Sequence, residues 1–232
     1  IGTDTLFLDD TGNNPGVGAY YSAYNGGVLQ LSGVEIITAT ALADIVNLTN
    51  GSNAAVADNV SIFAGDGADV VFSGSGNDLI VGDANSGSVA SVTLFGGAGR
   101  DTIFGALQDP LTTFGADDTL YGGDGNDTIF GGAGADRISD VDTTGHTVDT
   151  SLDGGDGADF ITANFANNAA VGIINGGNNS GADLADKILV TGSYDHVVSG
   201  LGLGNDTYIG GGFEGTAATG TGVDTVSGGL GS

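Results

Sequence analysis

An apolar residue returns along this chain at intervals of nine, each time between two more variable neighbours and each time flanked by glycine-rich stretches of six. The recurring positions are Val71, Ile80, Ile103, Ile129, Ile138, Ile161, Tyr208 and Val226. One inward residue between two outward ones is the period-two mark of a very short strand. The nonapeptides abut at Gly122–Phe130 and Gly131–Ser139, and again at Ala64–Phe72 and Ser73–Val81. Further copies run Gly96–Phe104, Gly154–Thr162, Leu201–Ile209 and Thr219–Ser227. Where the spacing departs from nine, Leu94, Leu120, Leu152, Ile174, Leu189 and Val198 stand just before the next glycine-rich bend. The pattern therefore predicts an unbroken apolar ladder from Val71 to Val226, and a fixed short period of this kind belongs to solenoids.

The polar positions are as regular as the apolar ones. Two residues before the ladder residue stands an aspartate, at Asp69, Asp78, Asp101, Asp127, Asp136, Asp159, Asp206 and Asp224. Glycines at the first, second and fourth places of each bend permit positive φ and let carbonyl oxygens converge on a point. A carboxylate at the sixth place completes an all-oxygen shell, the preference of a hard cation such as Ca²⁺.

Composition sharpens this picture. Glycine supplies 46 of 232 residues and proline only 2, which calls for repeated tight turns. Of the 29 acids only Glu35 and Glu214 are glutamate, so the short carboxylate is selected rather than acidity as such. A net charge of −26 excludes nucleic acid as an electrostatic partner. With 40% hydrophobic and 14% charged residues the chain should nevertheless fold. There is no cysteine to staple it, and the lack of any methionine points to a piece processed or excised from something longer. No apolar run approaches the roughly 18 residues of a membrane helix, and no export signal opens the chain.

From Ala64 to Ser232 these residues resemble the RTX (repeats-in-toxin) family, whose signature is Gly-Gly-x-Gly-x-Asp-x-apolar-x. The resemblance implies an all-β fold, a right-handed parallel β-roll or β-solenoid, with calcium ions in the turns and inserted surface loops. Six residues form each calcium-binding turn and three form each strand. The implied ligands are the sixth-position aspartates and the backbone carbonyls of Gly74, Gly76, Gly96, Gly97, Gly99, Gly122, Gly123, Gly125, Gly131, Gly132, Gly134, Gly154, Gly155 and Gly157. Assigning alternate half-turns to alternate sides gives one column with Asp69, a gap, Asp118, Asp136, Asp159, Asp183 and Asp206. The other holds Asp78, Asp101, Asp127, a gap and Asp224. Consecutive aspartates in a column imply bridging ions, about six in all, and without them the stacked carboxylates would repel strongly.

Residues 1–62 lack most of the glycines and read as a degenerate, metal-poor solenoid segment, with Tyr20, Tyr21 and Tyr24 on an excursion or against a neighbour; 63–232 form the calcium roll. Other chemistry fits less well. No glycine-rich stretch leads into a helix, and Lys187 is the only lysine, so a nucleotide loop fails on context. Asp140-Val-Asp142 opens like an EF-hand loop, but Ser151 stands at its twelfth place, which favours a surface insertion. His146 and His196 belong to no catalytic or metal spacing, and no Gly-x-Ser-x-Gly elbow occurs. Arg100 and Arg137 occupy variable positions and read as solvated.

The reading is a secreted, extracellular, calcium-dependent structural or adhesive module of a surface layer, adhesin or filament, without a catalytic site. The resemblance implies type I secretion. The alternative is the carrier region of a secreted RTX enzyme or toxin whose catalytic domain lies outside the chain; a ligand-binding solenoid face is a third reading. Gly2-Thr-Asp4 reads as the tail of a repeat and Gly228-Gly-Leu-Gly-Ser232 as a truncated one, so the expectation is continuation into a longer chain or end-to-end self-association.

Overall fold

A three-residue strand cannot stand alone, so each triplet must find partners in the turns before and after it. The computed structural model describes residues 5–7, 20–22, 36–49, 59–83, 90–106, 115–141, 150–165, 172–177, 184–192, 196–211 and 225–229. These contain strands and no helix. In chain order the strands are β1 (Thr5–Phe7), β2 (Tyr20–Ser22), β3 (Ile36–Thr38), β4 (Ile45–Asn47), β5 (Ser61–Phe63), β6 (Val70–Phe72), β7 (Leu79–Asp83), β8 (Thr93–Gly99), β9 (Thr102–Ala106) and β10 (Thr119–Gly125). They continue as β11 (Thr128–Ala133), β12 (Arg137–Val141), β13 (Ser151–Asp156), β14 (Phe160–Phe165), β15 (Gly172–Gly177), β16 (Lys187–Gly192), β17 (His196–Gly200), β18 (Thr207–Gly211) and β19 (Thr225–Gly229).

The odd-numbered strands β1 to β17 form a nine-stranded sheet, and the even-numbered strands together with β19 form a ten-stranded one. Neighbours are parallel throughout, so the chain passes from one sheet to the other after nearly every strand. This is the all-β parallel solenoid that the nonapeptide pattern predicts.

Between the sheets lie two apolar ladders. One runs Ile37, Ile62, Ile80, Ile103, Ile129, Leu152, Ile174 and Val198; the other runs Val46, Val71, Leu94, Leu120, Ile138, Ile161, Ile188 and Tyr208. None is more than 2% exposed, and each burial contributes about 1.5–3 kcal/mol. The ladder thus begins before Val71. One rung differs from expectation: Ile188 rather than Leu189 faces inward, because β16 pairs Ile188 with Ile161 and Leu189 with Thr162. Both residues are apolar, so the sequence pattern alone could not choose between them. Tyr20 and Tyr21 lie in β2, whereas Tyr24 lies outside the described residues.

Aromatic residues directly after several rungs form ladders of their own. Phe72, Phe95 and Tyr121 stack at centroid distances of 4.5 and 4.6 Å, and Phe104 stacks on Phe130 at 4.9 Å. Arg137 and Lys187 both lie over the ring of Phe160, at 4.7 and 5.4 Å, and Arg137 is exposed, as expected, while making that ring contact. No helix among the described residues is long and apolar enough to cross a membrane.

Candidate metal centre

The bends between strands stack as closely as the strands do. Gly97 and Gly99 hold φ at +103° and +139°, and a Cβ on Gly97 would collide with the Gly74 carbonyl oxygen one turn earlier. Relieved of side chains there, bend 96–101 settles on bend 73–78. The Ala98 N–H donates to the Gly74 carbonyl at 3.1 Å, and the Gly76 N–H donates to the Ala98 carbonyl at 2.8 Å.

That stacking gathers the sixth-position aspartates into two columns, interrupted at Val92 in one and at Thr150 in the other. In each, the Oδ1 atom of one residue accepts the N–H from the same place one turn earlier. On the side leading to the ten-stranded sheet, Asp44 donates to Asp69 at 2.7 Å. Further along that column Asp118 donates to Asp136, Asp136 to Asp159, Asp159 to Asp186 and Asp186 to Asp206, all at 2.8 Å. On the other side Asp78 donates to Asp101 at 2.9 Å and Asp101 to Asp127 at 2.8 Å. These carboxylates are buried, with exposures of 3% or less.

The second oxygen is treated differently. The Oδ2 atoms of Asp69, Asp101, Asp118 and Asp136 are buried and meet no hydrogen-bond donor. The bends of Asp101, Asp118 and Asp136 bring a further acceptor toward that oxygen. Beside Gly105, the place a Cβ would take lies 2.5 Å from Asp118 Oδ2 and 2.6 Å from the Gly131 carbonyl oxygen. Gly131 shows the same convergence of Asp136 Oδ2 with the Gly154 carbonyl, and Gly96 that of Asp101 Oδ2 with the Gly122 carbonyl. An unsatisfied buried carboxylate oxygen is costly, and acceptors gathered without donors need a proton or a cation between them. The donor set is oxygen throughout, which fits a hard divalent ion that takes six to eight such ligands. No three acidic or histidine side chains meet among the described residues, so each ion would draw on one or two carboxylates and on carbonyls.

Burial pushes these carboxyls upward: Asp69 and Asp118 to about 7, Asp101 to about 8 and Asp136 to about 9. Desolvation is the main cause; the donated N–H pulls the other way, and neighbouring carboxylates add to the rise. Without a cation the folded chain therefore holds protons that the unfolded chain releases near 3.8. Their contribution to stability is complete below about pH 4 and disappears as pH rises through about 7 to 9. In chelator, far-UV circular dichroism is expected to show β structure at pH 5 and loss of it at pH 8.5; equal signals at both values would contradict this.

Asp44 makes an instructive contrast. Its Oδ2 accepts from the Thr40 N–H at 2.6 Å and from the Thr40 hydroxyl at 2.7 Å, so the bend closes on itself by hydrogen bonds. Asp44→Asn is expected to leave the number of bound calcium ions unchanged, whereas Asp101→Asn lowers it. Equilibrium dialysis with radioactive calcium distinguishes the two; an equal loss in both would contradict the reading.

Of the aspartates expected as ligands, Asp69, Asp118, Asp136, Asp159 and Asp206 stack in one column and Asp78, Asp101 and Asp127 in the other. Asp183 and Asp224 lie outside the described residues. The place given to Asp183 is taken by Asp186, two residues before the true rung Ile188. The strand that follows Asp224, β19, pairs with β18, which assigns it to the ten-stranded sheet rather than to the sheet of Asp127. Asp140, expected on a surface insertion, is instead fully buried at the end of β12. The sixth-position pattern also passes over the buried Asp83; its signal was an aspartate directly after Gly82 in a bend with no sixth-position carboxylate. His146 and the side chain of His196 lie outside what is described.

A family model described as the RTX calcium-binding nonapeptide repeat matches the chain in four copies, at residues 56–80, 86–109, 112–139 and 147–170. A comparison with curated proteins found no match.

Proposed function

From the premise that the stretch between residues 56 and 170 carries RTX calcium-binding nonapeptide repeats, we propose that this chain is a secreted, calcium-dependent structural or adhesive module of an extracellular surface. Residues 63–232 act as the calcium roll and 1–62 as its metal-poor continuation. About six Ca²⁺ ions bridge the pairs Asp78/Asp101, Asp101/Asp127, Asp118/Asp136, Asp136/Asp159, Asp159/Asp186 and Asp186/Asp206. The observation that carries this is the donorless, buried Oδ2 of Asp101, Asp118 and Asp136 beside a converging carbonyl.

A bound cation supplies the positive charge that lets carboxylates on successive turns remain ionised and close together. The chain's own residues do the rest. Glycines bring the bends into contact, the Oδ1 atoms fix each aspartate to the turn before, and the apolar ladders hold the two sheets at a constant separation. Extracellular calcium modules bind with dissociation constants of about 10⁻⁴ to 10⁻³ M, so such a chain stays unfolded where calcium is scarce and folds where it is millimolar. Nine strands stacked at about 4.8 Å make a rod about 40 Å long, stiffened along both edges, which suits a load-bearing or spacing role. Electron microscopy of the purified chain in calcium tests the assembly part of the proposal. Rods or ordered arrays are expected, and dispersed monomers at every protein concentration would contradict self-association.

A further inference from the structure

Three of the proposed cation sites share a cradle at the first place of the bend. At Gly96, Gly105 and Gly131, the place a Cβ would take lies against the sixth-position Oδ2 of the same bend and a carbonyl oxygen of the next turn. None of these glycines has φ in the left-handed region, unlike Gly97 and Gly99 at the second and fourth places. The backbone would therefore accept a side chain at the first place. Glycine there keeps the space between carboxylate and carbonyl open.

Bend 73–78 departs from this. Ser73 stands at its first place and is buried, so a real Cβ enters the cradle. Its N–H donates to the Phe95 carbonyl at 3.1 Å, which keeps the bend in the common register. Its hydroxyl donates to the Gly96 carbonyl, with the Phe95 carbonyl a poorer acceptor at 3.4 Å. Gly96 opens the next bend of that column, so its carbonyl is the counterpart of the one that Gly131 brings toward Asp118. An acceptor that elsewhere calls for a cation here receives a proton donor, much as the Thr40 hydroxyl and N–H serve Asp44. Asp78 is otherwise a regular member of the column, buried and with its N–H donated to Asp101 at 2.9 Å.

We propose that Ser73 sets the calcium affinity of the Asp78/Asp101 site, its hydroxyl competing with the cation for the Gly96 carbonyl. The ion has to displace a hydrogen bond and share its space with a Cβ, so this site fills last as calcium rises and empties first as it falls. One net hydrogen bond corresponds to a dissociation constant about tenfold weaker. Stability in a solenoid is set by neighbouring turns, so the bend between β6 and β7 opens while later bends stay closed. The first bridge of the roll in chain order is thereby a calcium-sensitive joint to the metal-poor turns before it.

This inference rests on the calcium reading above, and hydrogen–deuterium exchange of the whole chain separates the two. Amide protection is followed by mass spectrometry at pH 8 as free calcium is raised. Bend 73–78 is expected to gain protection at about tenfold more calcium than bend 131–136. Ser73→Gly should abolish that difference, and Gly131→Ser should shift bend 131–136 to the higher requirement. Equal requirements in the unaltered chain would overturn the proposal. So would a Ser73→Gly variant that needs as much calcium as before, or more, since a greater need would make the hydroxyl a ligand. Protection independent of calcium at every bend would overturn the calcium reading itself.

Discussion

Chelating calcium from the folded chain at pH 8 is expected to abolish its β structure, and restoring millimolar calcium to bring it back. Two unit charges one strand spacing apart repel by about 3.5 kcal/mol at an effective dielectric constant of about 20, and six such neighbouring pairs together come to about 21 kcal/mol. A domain's net stability is about 5–15 kcal/mol, so the apolar ladders alone do not outweigh that repulsion. Protonation is the chain's other escape, but at pH 8 it is incomplete for Asp69 and Asp118, whose carboxyls titrate near 7. Far-UV circular dichroism during a calcium titration should therefore show a coil-to-β transition with a midpoint on the order of 0.1–1 mM. A β spectrum insensitive to chelator at this pH would contradict the expectation.

Asp136→Ala is expected to damage the roll strongly, because Asp136 takes part in two of the proposed bridges. Its Oδ1 accepts the Asp118 N–H at 2.8 Å and its own N–H donates to Asp159 at 2.8 Å, so it belongs to the site above and the site below. At tenfold excess over the dissociation constant each lost ion removes about 1.4 kcal/mol, and orphaning the buried Asp118 N–H adds about 1–3 kcal/mol. For a chain of this size that total lowers the melting temperature in calcium by on the order of 10 °C. The calcium count should fall by two. A folded variant with the wild-type count would show that the column does not bridge through Asp136.

The ladder and the regular bends were legible because each obeys a single local rule: an apolar residue at the eighth place, an aspartate at the sixth, glycine where φ turns positive. What escaped was set by register. In Lys187-Ile188-Leu189-Val190 two apolar residues compete for the rung, and only the pairing of β16 with β14 makes it Ile188; with the rung moved by one, the metal-column residue becomes Asp186. Asp83 and Asp140 escaped because they sit at the start of bends that carry insertions, so the distance to the next rung conceals their place. Asp44 stands in a segment that reads as metal-poor for want of glycines, and the sequence did not show the two hydrogen bonds from Thr40 that its Oδ2 accepts. The alternation of sheets after Asp206 could not be counted from spacing either, since β19 returns to the sheet of β18.

Native mass spectrometry bears most directly on whether ions between glycine bends are what hold the roll together. Sprayed from millimolar calcium, the compact charge states should carry about six Ca²⁺ per chain, and from chelator at pH 8.5 only extended, calcium-free charge states should remain. A compact species without calcium under those conditions would contradict the account.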